Sequence, residues 1–437
     1  MTLDRVNTSE AVPAALAGLS ATQASARVAA GELSAVSLVR SCLERIAERD
    51  QVVRAWSYLD PEQVLSQARA RDAAPLAGPL HGVPIAVKDV IDVAGMPTEM
   101  GSPIYRGYRP IADAACVATL RSAGAVVLGK TVTAEFAGVA PGATTHPQAS
   151  DHTPGGSSSG SAAAVADGMV PLAFGTQTGG SILRPAAFCG IVGFKPTFGA
   201  VSRAGLKLAA ETLDTIGLMA RNVDDVAFCW DVLVGRVGAV TQASPTPRLL
   251  LFRGHQWHLA SSDTVNLIEA TVRDLRVRGA WVDELPVPAA FAELTEARAA
   301  INAYERARAM AWEYEHHRDQ ISPAMSRTLA KGWSTSYETY TDALRLAERW
   351  RRWVANATEG YDGIVTPAVV GEAPKGLDST GDASFQEIWT LLHLPALTLP
   401  LGRGRLGLPV GVQFVGRHME DGALLALAKW VMSASSR

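Results

Sequence analysis

The chain has 437 residues, of which 48% are apolar and 19% charged, and its formal net charge is −3. This length can bury a large core, and the charge provides no basic field for nucleic acid or anionic lipid. We therefore expect neither a nucleic-acid partner nor a membrane partner.

Cysteine usage and apolar runs exclude further classes of protein. The four cysteines are widely spaced without a CxxC pair, so a zinc or disulfide framework is not expected. Residues 1–10 include acids and lack the apolar run of a secretory signal. Other apolar runs end well before the ~20 residues that a membrane helix needs. The sequence predicts a cytoplasmic protein.

Helix and strand signals alternate along the chain. Residues 20–75 have helical periodicity, with Ser34 as an N-cap. The β-branched runs 83–87 and 125–128 flank a helical stretch at 112–122, and strand signals return at 363–365 and 410–414. This order predicts one α/β domain over residues 1–437. Its parts would be N-terminal helices (1–75), a core segment (80–235), a peripheral helical region (260–355) and a C-terminal part of the core (360–437).

Residues 141–205 are unusually rich in Gly, Ser, Thr and Pro, a composition typical of linkers. Two apolar runs inside this stretch, 162–166 and 170–174, would be costly to leave in water. The stretch is therefore better interpreted as buried loops around a site.

Two motifs in the sequence lack the context that their chemistry needs. Residues 124–131 (GAVVLGKT) match the Walker A pattern, but the four middle residues of a P-loop must form a loop, and here they predict a buried strand. Residues 156–160 (GSSSG) match the nucleophile elbow GxSxG around Ser158. An elbow must follow a hydrophobic strand directly, whereas a turn (DHTPG) precedes this one.

A third set of residues fits a different chemistry. The segments GGSSSGS (155–161) and TQTGGS (176–181) place Ser157 and Ser181 24 positions apart. Lys88 ends the apolar run HGVPIAVKD (81–89), so a strand would deliver its amine to the interior or its rim. Burial lowers a lysine pKa from ~10.4 and allows the amine to act as a neutral base. The alternative is a surface lysine at a strand end.

Together these pieces resemble the amidase signature family. The resemblance extends from about residue 20 to 420 through segments at 189–197 (CGIVGFKPT), 213–217 (LDTIG), 394–396 (LPA) and 407–411 (GLPVG). It implies a single large mixed twisted β-sheet covered by helices on both faces. It also implies a Ser-cisSer-Lys triad, in which Ser181 is the nucleophile, Ser157 the proton relay on a cis peptide and Lys88 the base.

By the same resemblance, four backbone N–H groups form the oxyanion hole. They belong to Thr178, Gly179, Gly180 and Ser181. No step of this mechanism needs a cofactor or a metal, and the histidine pairs of the chain lack a third ligand at metal spacing.

Two residues depart from the commonest family pattern, D-x-G-G-S-x-R. Gln177 occupies the position of the acid, and Arg184 follows the nucleophile by three residues. Both features are similar to the malonamidase-like branch, in which this arginine is thought to hold a substrate carboxylate. Alternatively, Arg184 pairs with an internal acid, such as Glu99 or Asp214, or with a loop carbonyl.

The resemblance implies an amidohydrolase that acts on a small carboxamide through an acyl-Ser181 intermediate, such as the carboxylate-bearing half-amide malonamate. Three alternatives stay open: a general aryl or aliphatic amidase or hydrazide/urea hydrolase, the amidase component of a tRNA-dependent amidotransferase, and an inactive binding scaffold. The expected partner is a small amide, and a homodimer is left open.

Overall fold

A single mixed sheet organises the protein. The computed structural model describes residues 16–433 except 237, 239 and 241. Within them the strands are β1 (Trp56–Leu59), β2 (Pro84–Lys88), β3 (Val126–Thr131), β4 (Leu172–Gln177), β5 (Val192–Lys195), β6 (Thr215–Ala220), β7 (Arg248–Leu251), β8 (Trp281–Glu284), β9 (Gly363–Pro367), β10 (Ala396–Arg403) and β11 (Pro409–Val415). Their order in the sheet is β1-β3-β2-β4-β6-β5-β10-β11-β9-β7-β8, which confirms the predicted fold class.

Helices cover both faces of this sheet. Their bounds are α1 (Ala21–Ala29), α2 (Ala35–Val53), α3 (Pro61–Asp72), α4 (Ala115–Ser122), α5 (Ser159–Ala166), α6 (Leu183–Cys189), α7 (Val223–Leu233), α8 (Ser262–Val277), α9 (Glu293–Ala309), α10 (Ala311–His316), α11 (Pro323–Ser334), α12 (Tyr337–Ala357), α13 (Ser384–Leu391) and α14 (Asp421–Met432). Ser34 caps α2 as predicted, since its hydroxyl accepts a hydrogen bond from the Ser37 N–H.

Two strands lie where the sequence pattern indicated helix. They are β1, between α2 and α3, and β8, after α8. Each has four residues and forms one edge of the sheet. An edge strand of this length contributes only a short alternating pattern, which the longer helical periodicities on either side obscure.

Residues 141–205 form the buried centre of the molecule. They contain α5, β4, α6 and β5, whose residues are almost all buried. Gly160 shows how closely these elements approach, because a Cβ there would lie 2.2 Å from the Ala55 carbonyl oxygen. The prediction that this stretch is buried and not a linker is therefore confirmed, but much of it forms helices and strands rather than loops.

The Walker A match forms β3 and has no phosphate loop. Its lysine, Lys130, is fully buried, and its amine lies 3.0 Å from a carboxylate oxygen of Asp89 and 2.7 Å from the Thr98 hydroxyl. A charge buried in this way needs such a partner, so Lys130 has a structural role.

Among the described residues, no helix has the length and apolar composition needed to cross a membrane. Residues 1–10, in which no secretory signal was predicted, lie outside the described part of the chain.

Candidate active site

Three segments converge where β2 and β4 end side by side. β2 pairs in parallel with β4, so Lys88 at its last position lies near the end of β4. The loop before α5 carries Ser157, which follows a cis peptide bond from Gly156. The turn between β4 and α6 carries Ser181. The Ser158 N–H donates to the Ser181 carbonyl at 3.4 Å, so this loop and this turn lie side by side.

The Lys88 amine lies among hydroxyl groups. Its Nζ is 2.7 Å from Ser157 Oγ and 2.8 Å from Thr176 Oγ1, and the side chain is fully buried. Burial holds the Lys88 pKa well below its usual range, further assisted by the positive charges of Arg306 and Arg184 and opposed by the carboxylate of Asp214. A lysine in these surroundings can be a neutral base.

Ser181 lines a cavity of about 260 Å³. Its side chain is 7% exposed, and the glycines before it line the same cavity. The preceding Thr178 is anchored by its hydroxyl, which donates to Asp214 at 2.5 Å. The other oxygen of Asp214 accepts two backbone N–H groups, from Ala209 and Ala210. The sequence did not predict that the Asp214 carboxylate supports the turn that carries Ser181.

Arg184 lines the cavity but also bonds to the loop that carries Ser157. Its Nη2 donates to the Gly156 carbonyl at 2.6 Å and to the Thr380 hydroxyl at 3.1 Å. Its Nε makes no hydrogen bond with the described residues. Burial lowers the Arg184 pKa to about 10, opposed by the carboxylates of Glu387 and Asp382, so the group stays charged at neutral pH.

Neither acid considered as a partner of Arg184 contacts it. Glu99 accepts from the Gly107 N–H, and Asp214 supports Thr178. Arg184 therefore has a loop carbonyl as one partner, and its Nε lacks a partner among the described residues.

Helix α9 forms one wall of the cavity, with Arg298, Asn302 and Arg306 spaced four residues apart on one face. Arg298 pairs with Glu387 of α13 at 2.8 Å, while Arg298 Nε and Asn302 Oδ1 are buried without a hydrogen-bond partner among the described residues. Arg298, Asn302 and Arg306 were not predicted individually as cavity residues. Their only signal is the i, i+4, i+8 spacing of polar residues within a charged helix.

The remaining serines of the 155–161 segment bond the backbone. Ser158 Oγ bridges the carbonyl and N–H groups of Thr176, and Ser161 Oγ donates to the Phe174 carbonyl. Ser158 follows a turn rather than a strand, which agrees with rejecting the nucleophile elbow. Within the described residues, no group of three or more His, Cys, Asp or Glu side chains could hold a metal ion.

Comparison with known proteins places this chain in a family. The model of the family described as Amidase matches residues 37–425. A glutamyl-tRNA(Gln) amidotransferase subunit of Symbiobacterium thermophilum is 37% identical, over 94% of this chain and 95% of its own. The corresponding subunit of Roseiflexus castenholzii is 34% identical, over 93% and 94%.

Solved structures of amidases are similar to this chain as well. The crystal structure of an amidase has a TM-score of 0.88 and 30% identity, over 95% of this chain and 99% of its own. The peptide amidase of Stenotrophomonas maltophilia has a TM-score of 0.82 and 30% identity, over 97% and 98%.

These relatives correct one prediction. We expected no nucleic-acid partner, whereas the relatives are subunits of an enzyme named for a tRNA. The expectation was wrong because the net charge of one chain reports only on direct contact, and an enzyme of several subunits can hold its nucleic acid elsewhere. These relatives do not support malonamate as the substrate, and the malonamidase-like branch stays a prediction.

Proposed function

Since the chain belongs to the amidase signature family, we propose that it hydrolyses a primary carboxamide through an acyl-Ser181 intermediate and releases ammonia. The observation that carries this proposal is the 2.7 Å contact between the buried Lys88 amine and Ser157 Oγ, beside the cavity that contains Ser181. A buried amine with a lowered pKa destabilises the fold, so its presence is best explained by use of its basicity.

The steps follow from this arrangement. Ser181 Oγ attacks the amide carbon, and its proton passes through the Ser157 hydroxyl to Lys88. The tetrahedral oxyanion is stabilised by backbone N–H groups of residues 178–181, which are worth about 3 kcal/mol each in comparable sites. When the C–N bond breaks, Lys88 returns the proton through Ser157 to the leaving ammonia. Water then attacks the acyl ester, loses a proton through the same relay and frees Ser181.

We infer that the acyl part of the substrate carries a carboxylate. The cavity is lined by Arg184, Arg298 and Arg306 and by one acid, Glu387, so its lining has an excess of positive charge. Arg184 lines this cavity, and its Nε has no partner among the described residues. A buried guanidinium of this kind is stabilised by an anionic ligand.

Glutamine is the first amide to consider, because it combines a primary carboxamide with a carboxylate. The relatives named as glutamyl-tRNA(Gln) amidotransferase subunits favour a role in which this chain supplies ammonia to such an enzyme. In that role the tRNA would be a substrate of the assembled enzyme.

A second candidate is a stand-alone amidase for another carboxylate-bearing amide. The specific observation is that two positions close to Ser181 in the sequence, neutral Gln177 and the buried Arg184, depart from the commoner family pattern. The peptide amidase among the structural relatives indicates that this fold also serves enzymes of that kind.

Ammonia release from a set of amides distinguishes the amidotransferase role from the stand-alone amidase. We would assay the purified chain on glutamine, asparagine, malonamate, an aryl amide, a hydrazide and a urea, and label Ser181 with a fluorophosphonate. Turnover of glutamine that increases when a partner protein co-purifies supports the amidotransferase role. Turnover of other carboxylate-bearing amides by the chain alone supports the second candidate. A chain that neither labels nor releases ammonia is a binding scaffold, and the proposal is then wrong.

A further inference from the structure

Helix α13 packs against the turn that precedes Ser181. The Thr390 hydroxyl donates to the Gly179 carbonyl at 2.7 Å, while a second acceptor, the Gln386 carbonyl, is farther away at 3.4 Å. A Cβ on Gly180 would lie 2.5 Å from Gln386 Oε1. Both contacts come from one face of α13, so this helix limits the position and the rotation of the Gly179–Gly180 peptide.

The direction of the Thr390 proton is determined by Gln177. Gln177 Oε1 accepts the N–H groups of Ile182 and Leu183 at 2.9 and 3.1 Å, at the beginning of α6. Its amide orientation is thereby fixed, since only the oxygen can accept from two donors. Nε2 consequently faces Thr390 and donates to its hydroxyl oxygen at 3.0 Å. The one proton of Thr390 is left to donate to Gly179.

The Gly179 carbonyl and the Gly180 N–H belong to one peptide unit and point in opposite directions in a trans bond. A donor that holds the carbonyl on the α13 side therefore directs the N–H away from α13. Gly180 lines the cavity beside Ser181. Thr390, Gln177 and Gly179 are all buried, so water does not compete for these hydrogen bonds.

We propose that Thr390 is a positioning residue, oriented by the neutral amide of Gln177, which holds the Gly180 N–H toward the oxyanion of the reaction. This inference rests on the proposed acyl-Ser181 mechanism. It gives a physical reason for an amide at position 177. A carboxylate there would accept the N–H groups of α6 equally well but could not donate to Thr390, and it would draw the hydroxyl proton away from Gly179.

The test uses a readout that does not depend on the natural substrate, the second-order rate at which a fluorophosphonate labels Ser181. Thr390→Val removes the donor with little change of volume, and we expect labelling to slow by about tenfold or more, within the ~10²–10³-fold loss of a whole oxyanion donor. Thr390→Ser should restore most of the rate. Gln177→Glu should slow labelling while the melting temperature changes little. The pH midpoint of labelling, which reports the Lys88 relay, should stay unchanged in the two Thr390 variants, because neither changes a charge.

The matched control is Thr398→Val, because Thr398 is a buried threonine of β10 whose hydroxyl bonds none of the described residues. It should label at the rate of the parent chain. Crystal structures of the parent chain and Thr390→Val provide a second arm, in which we expect the Gly179–Gly180 peptide to rotate in the variant.

Labelling of Thr390→Val at the parental rate would overturn the inference, as would a Thr390→Ser variant as slow as Thr390→Val. Failure of the proposed function is distinct, because it would appear as a parent chain that is not labelled or releases no ammonia. The crystallographic arm then decides the inference alone, and an unrotated peptide in Thr390→Val would overturn it.

Discussion

The proposed triad and the α9 wall of the cavity differ in how their polar groups are bonded. The Lys88 amine is buried and bonds the hydroxyl groups of Ser157 and Thr176, which are buried as well. On the α9 wall, Arg298 Nε and Asn302 Oδ1 are buried but bond none of the described residues. Lys88 and Ser157 of the proposed triad are thus hydrogen-bonded before a substrate arrives, whereas the wall has buried polar groups that a ligand could bond. We expect changes to the triad to act on kcat and changes to the wall to act on KM.

Replacing residues of the proposed triad should have the largest effect. Ser181→Ala should lower kcat by at least ~10⁴-fold, and Ser157→Ala or Lys88→Ala should each cost orders of magnitude. Because the three side chains share one proton path, the triple variant should be scarcely slower than Ser181→Ala. Single-turnover ammonia release measures these rates. Near-full activity of Lys88→Ala at neutral pH would refute the relay.

The pH profile should report Lys88. Only the neutral amine accepts a proton, so activity should rise with pH through the lowered Lys88 pKa and remain high in mild alkali. Asp214 raises that pKa by its charge, so Asp214→Asn should move the ascending limb toward lower pH even if it also lowers the maximum rate. Profiles of kcat/KM test this, and an unmoved limb would assign it to another group.

Arg184→Lys should raise KM for carboxylate-bearing amides by about tenfold, because an ammonium group cannot reproduce the planar fork of a guanidinium. Neutral amides should be affected little. The matched control is Arg352→Lys, an arginine whose side chain is 69% exposed. Equal losses on charged and neutral amides would mean that the bond from Arg184 to the Gly156 carbonyl is its whole role.

Glu387→Gln should have the smallest effect and the opposite sign. It removes the negative charge that pairs with Arg298 at 2.8 Å and keeps the shape of the side chain. KM for a carboxylate-bearing amide should fall roughly threefold, since one repulsive charge near the ligand is lost. Steady-state kinetics at low ionic strength detect such a change, and a raised KM would show that Glu387 binds a cationic part of the substrate.

The difference between the proposed triad and the α9 wall also explains which residues could be predicted from the sequence. Lys88, Ser157 and Ser181 were predicted because their segments resemble those of the amidase signature family, and the fold class followed from this resemblance together with alternating helix and strand signals. The individual wall residues could not be predicted, because α9 and α13 reach the cavity only through tertiary packing, and Arg298 resembles any charged helical residue. The tRNA connection was missed for a related reason: composition describes one chain and not its assembly.

Burial of the Lys88 amine has a consequence for the stability of the protein. Between its lowered pKa and 10.5, the unfolded chain binds a proton at Lys88 that the folded chain does not, so the free energy of unfolding decreases as the pH falls through this window. Lys88→Met removes this penalty and fills the same space. Urea denaturation should find the inactive variant more stable than the parent at pH 7, with a smaller difference at pH 9. The folded state is thus less stable than it would be without a lysine at this position, because one amine is kept uncharged.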